Sequence, residues 1–188
     1  MMRLLGLVSV MSISTLLGGC AVTGPDDHDT ARVRAAVADE GRVSTRELAN
    51  DLGISEAAVV AALPESMRRV VPTDDLQTAL AAVCEVAPID FQVSGAGGAT
   101  IRTTDRRMVI QSYNDDEIEL QGDDGYPTVG IKPSNLVYIY LVRMDGIGPS
   151  SRAIFFFDSV GSRLMLWQVT DSSASVDSFD RVWLRYED

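Results

Sequence analysis

The stretch Leu136-Val137-Tyr138-Ile139-Tyr140-Leu141-Val142-Arg143, followed by Arg152-Ala153-Ile154-Phe155-Phe156-Phe157-Asp158 and Arg163-Leu164-Met165-Leu166-Trp167-Gln168-Val169-Thr170, decides the fold. Each run is too short for a typical buried helix and is rich in aromatic and β-branched residues that suit a pleated surface. Residues 136–142 and 154–157 are apolar at both odd and even positions. A strand needs that only when both of its faces are covered, so these are predicted to be central strands. Upstream, residues 89–94, 99–104, 107–113, 117–121 and 128–132 alternate with period two, broken by Gly, Asp, Asn and Ser. No linker among them holds a crossover helix, so the spacing predicts a large antiparallel sheet running as a meander.

Moving outward, the period changes to that of helices. Ala31, Val33, Ala36 and Val37 form an apolar stripe that Gly41 closes. Ser44 and Glu47 make a capping box for a helix ending at Leu52 and turned by Gly53. Ser55 caps a second short helix that Pro64 stops, and Thr73 opens another running to about residue 86. At the far end, Val176, Phe179, Val182 and Trp183 share one helical face over residues 174–186. Short N-terminal helices resembling a helix-turn-helix, a large antiparallel sheet and a C-terminal helix make an α+β domain spanning residues 31–188.

Composition narrows the function. In 188 residues, 46% are hydrophobic and 23% charged, which suits a packed globule. Lys+Arg is 16 against Asp+Glu 27, for a net charge of -11. An acidic surface repels phosphate backbones. The second helix of the helix-turn-helix-like unit, residues 55–63, carries no Arg, Lys, Asn or Gln to read base edges. A nucleic-acid partner is therefore not expected. The single His28 and the two cysteines, Cys20 and Cys84, remove most triad catalysis and histidine-rich zinc chemistry.

Residues 1–19 carry a short cationic start and an uncharged apolar run, which mark a secretory signal. Leu17-Gly18-Gly19-Cys20 looks like a bacterial lipobox. The expectation is an exported lipoprotein, acylated at Cys20 and held to a membrane facing outside the cytoplasm. Residues 20–30, including His28, would be its polar tether. With Cys20 acylated, Cys84 has no intrachain partner, and its apolar setting predicts a core thiol. The acidic cluster 115–117 with 123–125 lacks the spacing of a calcium loop and reads as solvated turns. Residues 94–98 read as a glycine-rich hairpin loop without a phosphate cradle. No catalytic residue set is visible.

The order of several segments resembles the HutX/ChuX haem-utilisation carrier family over about residues 40 to 185. These are Ala62-Leu63-Pro64-Glu65, Val83-Cys84-Glu85, Gln121-Gly122-Asp123-Asp124-Gly125, Gly130-Ile131-Lys132-Pro133-Ser134-Asn135, Ile154-Phe155-Phe156-Phe157-Asp158 and Leu164-Met165-Leu166-Trp167-Gln168-Val169. The resemblance implies a homodimer whose sheet holds haem for binding and transfer in haem utilisation. Fold likeness to haem-degrading proteins carries no activity by itself. Haem iron takes His, Cys, Met or Tyr. The family's first ligand position falls here on Ser94, the second on Gly130, and its aromatic pair on Glu117-Ile118, so each lacks a ligand. Met108, Tyr113, Tyr126 and Met144 are substitute ligands by residue type; Arg102, Arg106 and Arg107 are candidates for the propionates. A membrane-tethered haem binder with altered or lost ligation is one reading. A non-haem structural or partner-binding lipoprotein on the same fold is the alternative.

Overall fold

The computed structural model describes residues 25–40, 44–85, 88–94, 100–144, 152–170 and 173–187. Residues 1–24, with the expected signal and Cys20, and the glycine-rich residues 95–99 lie outside them.

The chain begins with α1 (Asp27–Glu40). Asp26 caps it by accepting the Asp29 N–H at 2.7 Å, and Asp27 and Asp29 sit favourably at the positive end of the helix dipole. The helix therefore starts inside the stretch expected to be tether, and His28 is an exposed residue of its first turn. Polar residues hid this start, because a capped first turn needs no apolar period.

Ser44 caps α2 (Thr45–Leu52), accepting the Glu47 N–H at 3.3 Å, which is the Ser44 half of the expected capping box. Gly53 ends the helix at φ 70°, a conformation only glycine adopts cheaply. Ser55 caps α3 (Glu56–Ala62) through the Ala58 N–H at 3.1 Å. A strand that the sequence does not announce follows, β1 (Arg68–Val71). It has four residues between two prolines, two of them arginine, too few to display a period. The helix expected from Thr73 begins as a 3-10 turn over Thr73–Asp75 and becomes α4 (Leu76–Cys84).

The remaining strands are β2 (Ile89–Ser94), β3 (Thr100–Arg106), β4 (Met108–Tyr113), β5 (Ile118–Gly122), β6 (Thr128–Ile131), β7 (Tyr138–Arg143), β8 (Arg152–Phe157) and β9 (Arg163–Val169). Helix α5 (Ser173–Arg185) ends the chain. The expected single meander is not what forms. A six-stranded antiparallel sheet runs β1-β7-β8-β9-β2-β3, and β4-β5-β6 form a separate three-stranded sheet. After β3 the chain leaves the large sheet at Arg107, and β9 later returns to pair with β2, with Ile89 opposite Val169. Turn spacing shows where strands end, and nothing in it shows which edges meet.

Both faces of the central strands are covered. Ile139, Leu141, Ile154, Phe156, Met165 and Trp167 face a core shared with α4, α5 and the small sheet. Phe91 and Phe156 surround Trp167 with ring centroids at 5.7 and 5.4 Å. Tyr140, Val142, Ala153, Phe155, Phe157 and Leu166 face a second core with α1, α2 and α3. This accounts for the two-faced apolar runs. Helix α5 is tied to β8 by Arg152, whose guanidinium grips Asp180 through Nε at 3.0 Å and Nη2 at 3.3 Å.

Candidate functional site

The helical layer and the large sheet leave a cleft where α2 and α3 meet β7, β8 and β9. It has two hollows, of about 490 and 320 Å³, which share Arg46 and Arg163 as walls. The larger is mixed, with Asn50, Ser55, Glu56, Ser94, Asp158 and Ser162 on its polar side and Ala49, Ile54, Val160 and Leu164 beside them. The smaller has an apolar floor of Val142, Ala153, Phe155 and Leu166, with Met144 beside it.

A buried polar network divides them. Arg163 opens β9 and sends Nη1 to Glu56 Oε1 at 2.9 Å; each side chain is 8% exposed. Thr45 Oγ1 donates to the same carboxylate oxygen at 2.6 Å, joining α2 to α3. Burial holds the Arg163 guanidinium below the usual arginine range; Glu56 opposes that shift and the nearby Arg46 charge adds to it. Its Nε–H is buried without a partner among the described residues. Ser94 Oγ, in the larger hollow, is also buried and unpartnered there.

The loop between β8 and β9 shapes the polar side. Asp158 Oδ1 accepts the N–H groups of Val160 and Ser162, at 3.0 and 2.8 Å. Gly161 turns at φ 77° and its carbonyl accepts the Ala57 N–H at 3.3 Å. A side chain at 161 would collide with Ser55, so the loop seats against α3 only with glycine there.

The residues singled out from the sequence do not gather in this cleft. Ser94 lies in it, but Glu117 and Gly130 sit on the small sheet, where Glu119 pairs with Gly130 and Ile118 with Ile131. Both are exposed, and a Cβ at 130 would meet the Glu117 carboxylate. Met108 is 1% exposed and belongs to the core, which removes it as a cleft ligand. Tyr113 packs half-buried on that core, and Tyr126 is 65% exposed on a turn. Arg102 pairs with Asp90 at 3.1 Å and Arg106 with Asp124, so both are engaged in surface ion pairs. The carbonyl of Arg107 accepts the Asp123 N–H at 3.0 Å, which places that arginine at the exit from the large sheet.

Cys84 is the expected core thiol, with burial pushing it up to about 12. A thiol that stays protonated is a poor metal ligand. No group of three metal-ligating side chains occurs among the described residues, and no described helix is long and apolar enough to cross a membrane.

The positions that the resemblance assigns to iron ligation do not fit an iron. A serine hydroxyl, an absent side chain and a carboxylate stand where His or Tyr would be required. Met144 is the one residue among the substitute ligands that reaches the cleft wall. Arg46, Glu56 and Arg163 escaped the sequence reading. Glu56 and Arg163 are 107 residues apart, and no local spacing links them. The only trace is a charged residue opening a strand whose next four residues, Leu164 to Trp167, are apolar.

No family description and no curated protein matches the chain. Solved structures do. A protein from Erwinia carotovora superimposes with a TM-score of 0.70 at 16% identity, covering 82% of this chain and 98% of that one. ChuX gives 0.69 at 21% identity, over 82% of this chain and 97% of its own. PhuS, a haem-binding protein from Pseudomonas aeruginosa, gives 0.65 at 16% identity over 88% of this chain, which spans 49% of PhuS. The chain has a ChuX-like fold; at these identities the likeness is one of fold.

Proposed function

We propose that this chain is a membrane-tethered, haem-carrier-like binding protein, exported and acylated at Cys20, that binds or relays haem with altered or lost axial ligation. The observation that carries the proposal is the fold. ChuX, described as a haem-binding protein, is matched over 99% of its length, and PhuS is also haem-binding. Apolar burial on the sheet supplies binding energy that does not depend on an iron bond, at roughly 25 cal/mol per Å² of apolar surface removed from water. The homodimer implied by the family resemblance is part of this reading.

A second reading is favoured by Ser94, Glu117 and Gly130, none of which offers an iron ligand. On it the same fold serves as a non-haem structural or partner-binding lipoprotein. Haemin titration with tryptophan fluorescence separates the two, since Trp167 and Trp183 are buried reporters in one core. Haem binding gives saturable quenching; a linear inner-filter decline alone supports the second reading. The tether has its own test. Wild type should incorporate labelled palmitate and partition into detergent, and Cys20→Ser should do neither. Equal aqueous recovery of the two forms would remove the membrane anchor.

A further inference from the structure

The cleft offers little to an iron and an accessible cation to a carboxylate. Of the described His, Cys, Met and Tyr side chains, only Met144 lines either hollow. The internal segments outside the described residues, 41–43, 86–87, 95–99, 145–151 and 171–172, contain none of these four residue types. His28 is exposed on α1, and Cys84 is a core thiol that stays protonated. Met144 packs half-buried against the core that the helical layer shares with the sheet, where a thioether fills space.

The charged groups on the walls differ in how far the fold has committed them. Arg163 and Glu56 hold each other at 2.9 Å, and each side chain is 8% exposed. Asp158 Oδ1 accepts the N–H groups of its own loop. Arg46 is exposed, lines both hollows and forms no ion pair among the described residues. A carboxylate can meet it at the mouth without breaking any bond that the fold uses. Beneath it Val142, Ala153, Phe155 and Leu166 form the apolar floor. That hollow, of about 320 Å³, is small for a ligand site, so it takes one edge of a macrocycle and leaves the other edge at the mouth.

A porphyrin with two propionates presents an apolar ring and carboxylates whether or not a metal sits at its centre. Iron adds affinity only where a protein group bonds it, and specificity is a difference between two affinities. Resting on the haem-binding reading above, we propose that the cleft selects the dicarboxylate porphyrin ring rather than its metal, with Arg46 meeting a propionate at the mouth. Its ligand class then includes metal-free protoporphyrin beside haem.

The test titrates haemin and metal-free protoporphyrin IX into the full chain carrying Cys20→Ser, so that no attached acyl chain competes. Quenching of the buried Trp167 and Trp183 is the common readout. The two dissociation constants should agree within about threefold. Arg46→Gln should weaken both porphyrins alike by about threefold, the worth of an exposed ion pair, with the thermal midpoint unchanged. Arg46→Lys should recover most of that loss, and Met144→Leu should alter neither affinity. Haemin binding at least tenfold tighter than protoporphyrin IX would overturn the inference and leave the haem reading standing. So would a selective loss of haemin in Met144→Leu, or unchanged affinities in Arg46→Gln. Saturable binding of neither porphyrin would remove the haem reading itself, and this inference with it.

Discussion

At the scale of single residues, the cleft rests on Glu56. Its carboxylate accepts from both Thr45 and Arg163 while nearly fully buried, so one side chain joins α2, α3 and β9. Removing one partner of a buried pair strands the other charge. Glu56→Ala is therefore expected to lower the unfolding free energy by about 3–5 kcal/mol in chemical denaturation. A loss below about 1 kcal/mol, the range of exposed pairs, would mean that water in the adjoining hollows already solvates Arg163. Residues that act locally were legible: Ser44 and Ser55 as caps, Gly53 as a left-handed stop, Cys84 as a core thiol. Each is recognised by its chain neighbours. Arg163, Glu56 and Arg46 were not, because their chemistry comes from the meeting of distant segments. The family positions failed in another way. They were expected to mark one ligand site, and the structure disperses them, leaving Ser94 in a cleft that Glu117 and Gly130 do not line.

At the scale of elements, the helical layer explains why β7 and β8 are apolar on both faces. Val59 on α3 is 0% exposed and packs in the core that also holds Tyr140, Phe155 and Phe157. Val59→Asp places an unpaired carboxylate there and is expected to cost several kcal/mol, about 3 or more, read as a fall in thermal midpoint. An unchanged midpoint would mean that this helix pair is only loosely docked. The helix-turn-helix-like unit is thus a lid on one sheet face, and its lack of base-reading side chains agrees with that use. Apart from β1, the strands were legible from period two or, for β7 and β8, from runs apolar on both faces, with bounds shifted by no more than two residues where both ends are described. Pairing was not. Strand β1 pairs Val70 with Tyr140 at the edge of the sheet, yet Arg-Arg-Val-Val alone carries no period. The separation of β4-β5-β6 into a second sheet depends on the chain leaving the first at Arg107, which strand patterning does not encode.

At the scale of the whole molecule, an acidic domain with a ChuX-like fold keeps its covered sheet while lacking the iron ligands implied by the family resemblance. The central claim of the proposed function is that this fold binds haem through apolar burial, with axial ligation altered or lost. Haemin titrated into the full chain, followed by the Soret absorbance, tests this most directly when wild type is compared with Ser94→His, which places a ligand in the cleft. The account predicts weak, saturable binding by wild type with a broad Soret band, and tighter binding with a sharpened band in Ser94→His. Tight wild-type binding lost on a single Tyr or Met substitution would contradict the lost-ligation claim, and no binding by either form would contradict the haem-competent fold itself.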